Sequence, residues 1–193
     1  MSEIILKKPV NVYQVYLFAK AKHEGQKRDN GADYITHPVN VAKIIKEVKG
    51  DSKNIDILIA AALLHDTLED TYTSYRELEE NFGKEIASIV MELTTAPYVP
   101  KMIGKAQYLA TKMEHMTKYA ILIKFADIYN NLCDLNGTTT EKRQRTINDT
   151  EYILNYLSTR RTYTKSQQKL VDLIQKQIKE LKNEDNEKNA IAK

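Results

Sequence analysis

An internal disulfide is excluded, because the 193 residues contain one cysteine, Cys133. A lone thiol fits a reducing compartment. No apolar run is long enough to span a bilayer. Residues 1–8 lack the apolar core of a signal peptide. The expected location is therefore the cytoplasm, with no membrane partner. A large charge excess is missing too: 29 basic residues against 26 acidic ones leave a net charge of +3. A general nucleic-acid binder needs a concentrated basic surface, so no nucleic-acid partner is expected. A local basic pocket for a phosphorylated small molecule is compatible with the balance. Glycine and proline are scarce, at six and four residues, so the chain should be mostly regular structure. Helix formers dominate what is there. The length suits one domain and buries enough apolar surface to fold without a structural metal. Any metal is therefore expected to be catalytic.

Helical periodicity runs through most of the chain, and strand alternation is nearly absent. The spacing predicts helices over 10–24, 36–49, 55–68, 85–93, 101–116, 118–135, 141–157 and 166–182. Ser74 and Glu77 form an S-x-x-E capping signature for a further short helix ended by Gly83. Thr36 is expected to cap the second helix, with Pro38 in its first turn. Asp29-Asn30-Gly31 marks a turn, and Pro97 and Pro100 mark a loop. The fold class is all-α, a single helical bundle of about eight to ten helices. The bundle domain is expected over 1–182, followed by a polar, disordered tail over 183–193.

The most apolar helix, over 55–68, ends in His65-Asp66-Thr67-Leu68-Glu69-Asp70. Four ionisable groups directly after an apolar run are costly to bury unless paired or bound to metal. Adjacent His and Asp on a helix stand about 100° apart, so both can lean toward one ion between helices. Glu69 and Asp70 lie one turn further on. A His-Asp pair by itself is common at helix ends. Two further features raise its weight. Asp127 also follows an apolar run, with Asn131 one turn beyond it, and His37 stands at a helix start. Two histidines and two aspartates make a mixed imidazole–carboxylate set, which suits Mn²⁺, Fe²⁺ or Zn²⁺ better than Ca²⁺. The absence of cysteine ligands argues against structural zinc.

These residues carry a resemblance. His37, His65-Asp66 and Asp127 match the H…HD…D signature of the HD-domain phosphohydrolases. The longer runs AKHEGQKR at 21–28, YITHP at 34–38, AALLHDTLEDT at 61–71 and LIKFADIYNNL at 122–132 resemble the hydrolase domain of the RelA/SpoT homologues and the small alarmone hydrolases. The resemblance covers about residues 12–157. It implies a nucleotide substrate, ppGpp or pppGpp, that loses its 3′-pyrophosphate to give GDP or GTP. It implies one Mn²⁺ per chain held by His37, His65, Asp66 and Asp127. Glu69 and Asp70 would orient or deprotonate the attacking water. Lys27 and Arg28 would pack around the base, and Tyr34 and Asn131 would contact the nucleotide. Asp33 departs from the family, which often has proline before the tyrosine. A hydrolase-only protein is expected, and a homo-oligomer is compatible with the sequence.

A polyanionic substrate needs local positive charge, and Lys101, Lys105 and Lys124 are candidates, each of them more ordinary as a solvated lysine. His23 reads as a helix-end residue without a ligand role, His115 as exposed, and Cys133 as a small buried hydrophobe. The Arg160-Arg161 run reads as a solvated helix face. Two other functions compete: another HD phosphatase acting on NADPH or nucleoside monophosphates, and a nucleotide-binding protein with a dead metal site.

Overall fold

The computed structural model describes residues 9–95 and 102–191. The expected loop with Pro97 and Pro100, and the candidate cation Lys101, lie outside the described residues. All the regular structure described is helical: α1 (Val12–Lys22), α2 (Thr36–Lys49), α3 (Ile55–Leu64), α4 (Thr67–Asp70), α5 (Tyr75–Phe82), α6 (Lys84–Leu93), α7 (Lys105–His115), α8 (Lys118–Cys133), α9 (Thr140–Ser158) and α10 (Lys165–Ile191). No described helix is long and apolar enough to cross a membrane.

Two helices are buried over most of their length and form the centre. In α3, Leu58, Ala60, Ala61, Ala62, Leu63 and Leu64 are all buried. In α8, the buried set includes Ile121, Leu122, Ile123, Phe125, Ala126 and Leu132. Apolar surface this extensive must be enclosed, and here it is. Helix α3 packs against α1, α2, α6 and α8, while α8 packs against α2, α6, α9 and α10. The three alanines of α3 allow its neighbours to approach closely. Each fully buried Leu, Ile or Phe of this centre contributes roughly 1.5–3 kcal/mol relative to exposure. The rigid centre matters for function because His65, Asp66 and Asp127 sit on or just beyond these two helices.

Several helix starts follow from local chemistry. The side chains of Asn11, Ser74, Thr117 and Thr139 each accept a backbone N–H of the first turn, replacing partners a helix start lacks. Thr36 does not cap as expected. It is already the first helical residue, Ile35 holds the cap position, and the Thr36 hydroxyl donates to Asp33 O at 2.8 Å.

Other boundaries also depart from the sequence reading. The helix expected over 55–68 breaks at His65-Asp66 and resumes as α4. The Thr67 hydroxyl donates to Leu64 O at 2.7 Å, giving a terminal carbonyl of α3 a partner at the break. The last helix was expected to stop at Lys182, yet α10 continues to Ile191. Arg143 is buried and places Nη2 2.7 Å from Glu184 Oε2 and Nε 2.8 Å from Asp185 Oδ1. A buried guanidinium requires counter-charges, and residues 184–185 supply them only when the helix runs on. Arg161 is not part of a solvated face: its Nη1 donates to the carbonyls of Met113, Glu114 and Met116, closing the C-terminal end of α7. Cys133 is exposed rather than buried.

Candidate metal centre

The start of α2, the α3–α4 break and the middle of α8 meet at one point. His37 Nε2 stands 3.2 Å from His65 Nε2 and 3.1 Å from Asp127 Oδ1. Asp66 Oδ2 lies 3.1 Å from His65 Nε2 and 3.5 Å from His37 Nε2. His65 Nε2 and Asp127 Oδ1 are 3.8 Å apart. Neighbouring donors around one ion at about 2.1 Å stand roughly 3 Å apart, so these separations fit a shared cation. One donor atom from each of His37, His65 and Asp127 falls within 4.8 Å of the others, and all three residues are buried. The break after Leu64 lets the adjacent His65 and Asp66 turn toward the same point.

Three of the four donors, His65, Asp66 and Asp127, are held from behind, while His37 Nδ1 is buried without a hydrogen-bond partner. His65 Nδ1 faces Ala62 O at 2.8 Å; donating its proton there leaves Nε2 free for the centre. Lys124 Nζ donates to Asp127 Oδ2 at 2.8 Å, and Asn131 Nδ2 donates to Oδ1 at 2.7 Å. The Tyr34 hydroxyl lies 2.7 Å from Asp66 Oδ2 and 3.1 Å from Asp70 Oδ2. Lys124, a candidate phosphate-binding cation in the sequence, is therefore committed to Asp127. Lys105 is exposed in the first turn of α7.

The electrostatics follow from packing. Burial alone would discharge His65, but the Asp66 and Asp127 carboxylates outweigh it and raise its pKa to about 10. Burial would likewise raise Asp66 and Asp127; His65 pulls Asp66 down, and Lys124, His37 and His65 pull Asp127 down. Asp70 is raised, first by burial and then by the Asp66 charge. A prediction follows from His65. Its folded-state pKa exceeds the ordinary 6.5, so its proton stabilises the metal-free fold fully below pH about 6.5, and that contribution is lost as pH rises through about 10. Melting of metal-free protein should therefore shift to lower temperature across that window. Metal binding at neutral pH should release protons and tighten as pH rises, which calorimetry in buffers of different ionisation enthalpy will measure. Equal heats in all buffers would contradict the proton release.

The loop after α1 supplies one wall. Gly25 (φ +79°) turns the chain out of the helix, and Gly31 (φ +83°) takes the left-handed position in the return turn. Between them, the chain from Gln26 to Arg28 is extended, with an isolated bridge from Lys27 to Asp33. Alternate residues of an extended chain face opposite ways. Gln26 Nε2 accordingly donates to Asp70 O at 2.8 Å. Arg28 Nη2 reaches Asp134 Oδ2 at 2.8 Å and Asn131 Oδ1 at 3.2 Å. Lys27 instead pairs with Asp33 at 2.5 Å on the exposed side. The structure thus brings Arg28, Tyr34 and Asn131 to the centre and turns Lys27 away. Asp33, the departure from the family pattern, is what Lys27 meets.

Glu69 and Asp70 lie at the exposed mouth of the centre. Glu69 Oε2 accepts the Thr95 N–H at 2.7 Å. The sequence reading assigned no role to Gln26 or Asp134 and read His23 only as a helix-end residue. His23 is buried, stacks on Tyr34 with ring centroids 4.7 Å apart and pairs with Gln26 at 2.8 Å. Asp134 had a legible signal: Asp127, Asn131 and Asp134 recur at i, i+4 and i+7 on one helix face.

Comparison with known proteins agrees with this architecture. A family model described as HD domain matches residues 16–163. The bifunctional (p)ppGpp synthase/hydrolase SpoT of Escherichia coli K12 is 38% identical over 152 residues, covering 76% of this chain and 21% of that protein. This chain thus spans about a fifth of that relative. The guanosine-3′,5′-bis(diphosphate) 3′-pyrophosphohydrolase MESH1 of Danio rerio is 40% identical over 126 residues, covering 64% of this chain and 68% of that protein. A solved structure of a metazoan orthologue of SpoT, described as hydrolysing ppGpp and acting in starvation responses, superimposes with a TM-score of 0.72 at 27% identity. It covers 88% of this chain and 96% of its own.

Proposed function

The chain belongs to the HD-domain family, and from that premise we propose that it is a cytoplasmic, Mn²⁺-dependent 3′-pyrophosphohydrolase of ppGpp and pppGpp. The observation that carries the reading is the convergence of His37, His65, Asp66 and Asp127 beside an acidic pair and a basic, amide-bearing wall. When bound there, a divalent ion supplies Lewis acidity to a phosphoryl oxygen and to the attacking water.

The chain's own residues do the rest. His37, His65, Asp66 and Asp127 hold the ion, and Asn131, Lys124 and Tyr34 keep the carboxylates in register. Asp70, raised from its ordinary value by burial and by Asp66, accepts the proton of the attacking water. Glu69 orients that water with the oxygen not tied to Thr95. Arg28 and Tyr34, with the guanidinium 5.9 Å from the ring centroid, form the purine-binding wall. Asn131 presents an amide toward the ribose, and Lys27 meets the nucleotide only by leaving Asp33. The water oxygen forms a bond to the phosphorus next to the ribose 3′-oxygen, the bond from that phosphorus to the 3′-oxygen breaks, and the 3′-oxygen takes up the proton held by Asp70, so pyrophosphate leaves intact and GDP or GTP remains.

The test is the product. Incubation of ppGpp with the protein and Mn²⁺ should yield GDP and pyrophosphate, resolved by chromatography. Orthophosphate as first product, or faster cleavage of NADPH or a nucleoside monophosphate, overturns the alarmone reading while leaving the metal centre intact.

Arg28 gives a separate expectation. A guanidinium can stack on a purine face and still meet an anion, so Arg28→Ala should raise KM more than it lowers kcat. Because Arg28 also holds Asn131 and Asp134, a modest fall in kcat accompanies the change. An unchanged KM in steady-state kinetics would place the base against another wall.

A further inference from the structure

We propose that Lys112 is a positioning residue for the acidic pair, acting on Glu69 through the single peptide unit that joins Thr94 to Thr95. The inference rests on the reading of Glu69 as the group that orients the attacking water. Lys112 lies on α7, outside every motif at the centre. Its ammonium donates to Thr94 O. The N–H of the same peptide unit, that of Thr95, donates to Glu69 Oε2 at 2.7 Å. A cation on the carbonyl side of an amide and a carboxylate on its N–H side polarise it in the same sense, and hydrogen bonds in such chains strengthen one another. The peptide is anchored as well as polarised: Thr94 N donates to Val90 O at 3.0 Å, and the Thr94 hydroxyl donates to the same oxygen at 2.9 Å. One rigid amide, fixed to the end of α6, thus connects α7 to the carboxylate on α4. It holds one Glu69 oxygen in place and leaves the other for water.

The charges around Lys112 come from every side. Lys124 faces it from α8, Glu69 from α4 and Glu92 from α6, while the Tyr108 ring on its own helix lies 6.0 Å away. Partial burial, followed by the Lys124 charge, lowers its pKa to about 8, against the pull of Glu69 and Glu92. The ammonium therefore begins to lose its proton just above neutrality, where the amine becomes a weaker donor to Thr94 O. A lysine that merely capped α6 would change stability and leave kinetics alone.

The experiment compares Lys112→Met, which keeps the apolar stem, with Lys112→Arg, which keeps the charge. Lys112→Met should lower kcat by roughly 10- to 100-fold with KM and thermal stability near wild type, and Lys112→Arg should restore most of the rate. Wild-type kcat should decline as pH rises through about 8, and Lys112→Arg should remove that decline. In the metal-free protein, the Thr95 amide proton should shift upfield in the ¹⁵N–¹H spectrum of Lys112→Met, a readout independent of turnover. In a Glu69→Gln background, Lys112→Met should cost nothing further. A Lys112→Met enzyme with wild-type kcat beside a slow Glu69→Gln overturns the proposal alone. So does a pure rise in KM, an additive loss in the double variant or an unmoved Thr95 resonance. A Glu69→Gln enzyme with wild-type turnover overturns the underlying reading and the proposal with it.

Discussion

Glu69→Gln and Asp70→Asn should each lower kcat for ppGpp hydrolysis by about 10²- to 10⁴-fold while metal content stays at the wild-type level. Neither side chain belongs to the converging donor set. Both stand at the exposed mouth, on the short helix α4 that begins immediately after Asp66. Asp70 is fixed through its neighbours: its Oδ2 accepts from Tyr34 at 3.1 Å and its backbone oxygen accepts from Gln26 at 2.8 Å. An amide in its place keeps the volume but cannot take a proton from water. Glu69→Gln keeps an oxygen for Thr95 N–H and loses the charge that orients water. Thermal melting of both variants separates a loss in rate from a folding defect. Metal analysis and kinetics at saturating Mn²⁺ decide the matter: wild-type turnover in both variants removes the acidic pair from the mechanism.

The elements of the fold were readable wherever one helix's own periodicity determined them. Helix α2 runs over Thr36–Lys49, the span that its spacing predicts, and Ser74 caps α5 as the S-x-x-E signature requires. Three of the converging side chains, His65, Asp66 and Asp127, could be singled out because charged groups after apolar runs are rare, whereas His37 follows no such run and was marked only by its place at a helix start. What the sequence did not disclose lies in contacts between distant segments. No local pattern says that Arg143 will reach residues 184–185 and extend α10. Nor does one say that Arg161 will close α7. The break at His65-Asp66 is hidden for the opposite reason: Thr67 restores a partner to the last turn by a hydroxyl, so composition there still reads as helix. The extended run at 26–28 is too short to show alternation, and Lys27 and Arg28 read as one basic pair although they face opposite ways.

Asp127→Ala should produce the largest combined effect, with loss of bound metal, a fall in turnover of more than about 10³-fold and destabilisation of roughly 3–5 kcal/mol. Asp127 is where the two central helices meet chemically. Its Oδ1 lies 3.1 Å from His37 Nε2 and accepts from Asn131 at 2.7 Å, while Oδ2 accepts from Lys124 at 2.8 Å. Lys124 is itself enclosed, with a side chain only 13% exposed. Burial opposes its charge, and the Asp127 carboxylate outweighs burial and raises its pKa. Removing the carboxylate leaves a buried ammonium without its counter-charge, and breaking such a pair costs more than the pair contributes. The two consequences can be separated. Adding Lys124→Met to Asp127→Ala should recover much of the stability in urea denaturation, because the orphaned charge is gone, yet restore neither metal binding nor turnover. Chelation of the wild type should abolish activity and added Mn²⁺ should restore it, while the fold should persist because His65, still protonated near neutrality, keeps the carboxylates paired. If Asp127→Ala retained metal and turnover, the fourth donor would have to be sought elsewhere. If the double variant stayed as unstable as the single one, the ion pair with Lys124 would not be the source of the destabilisation.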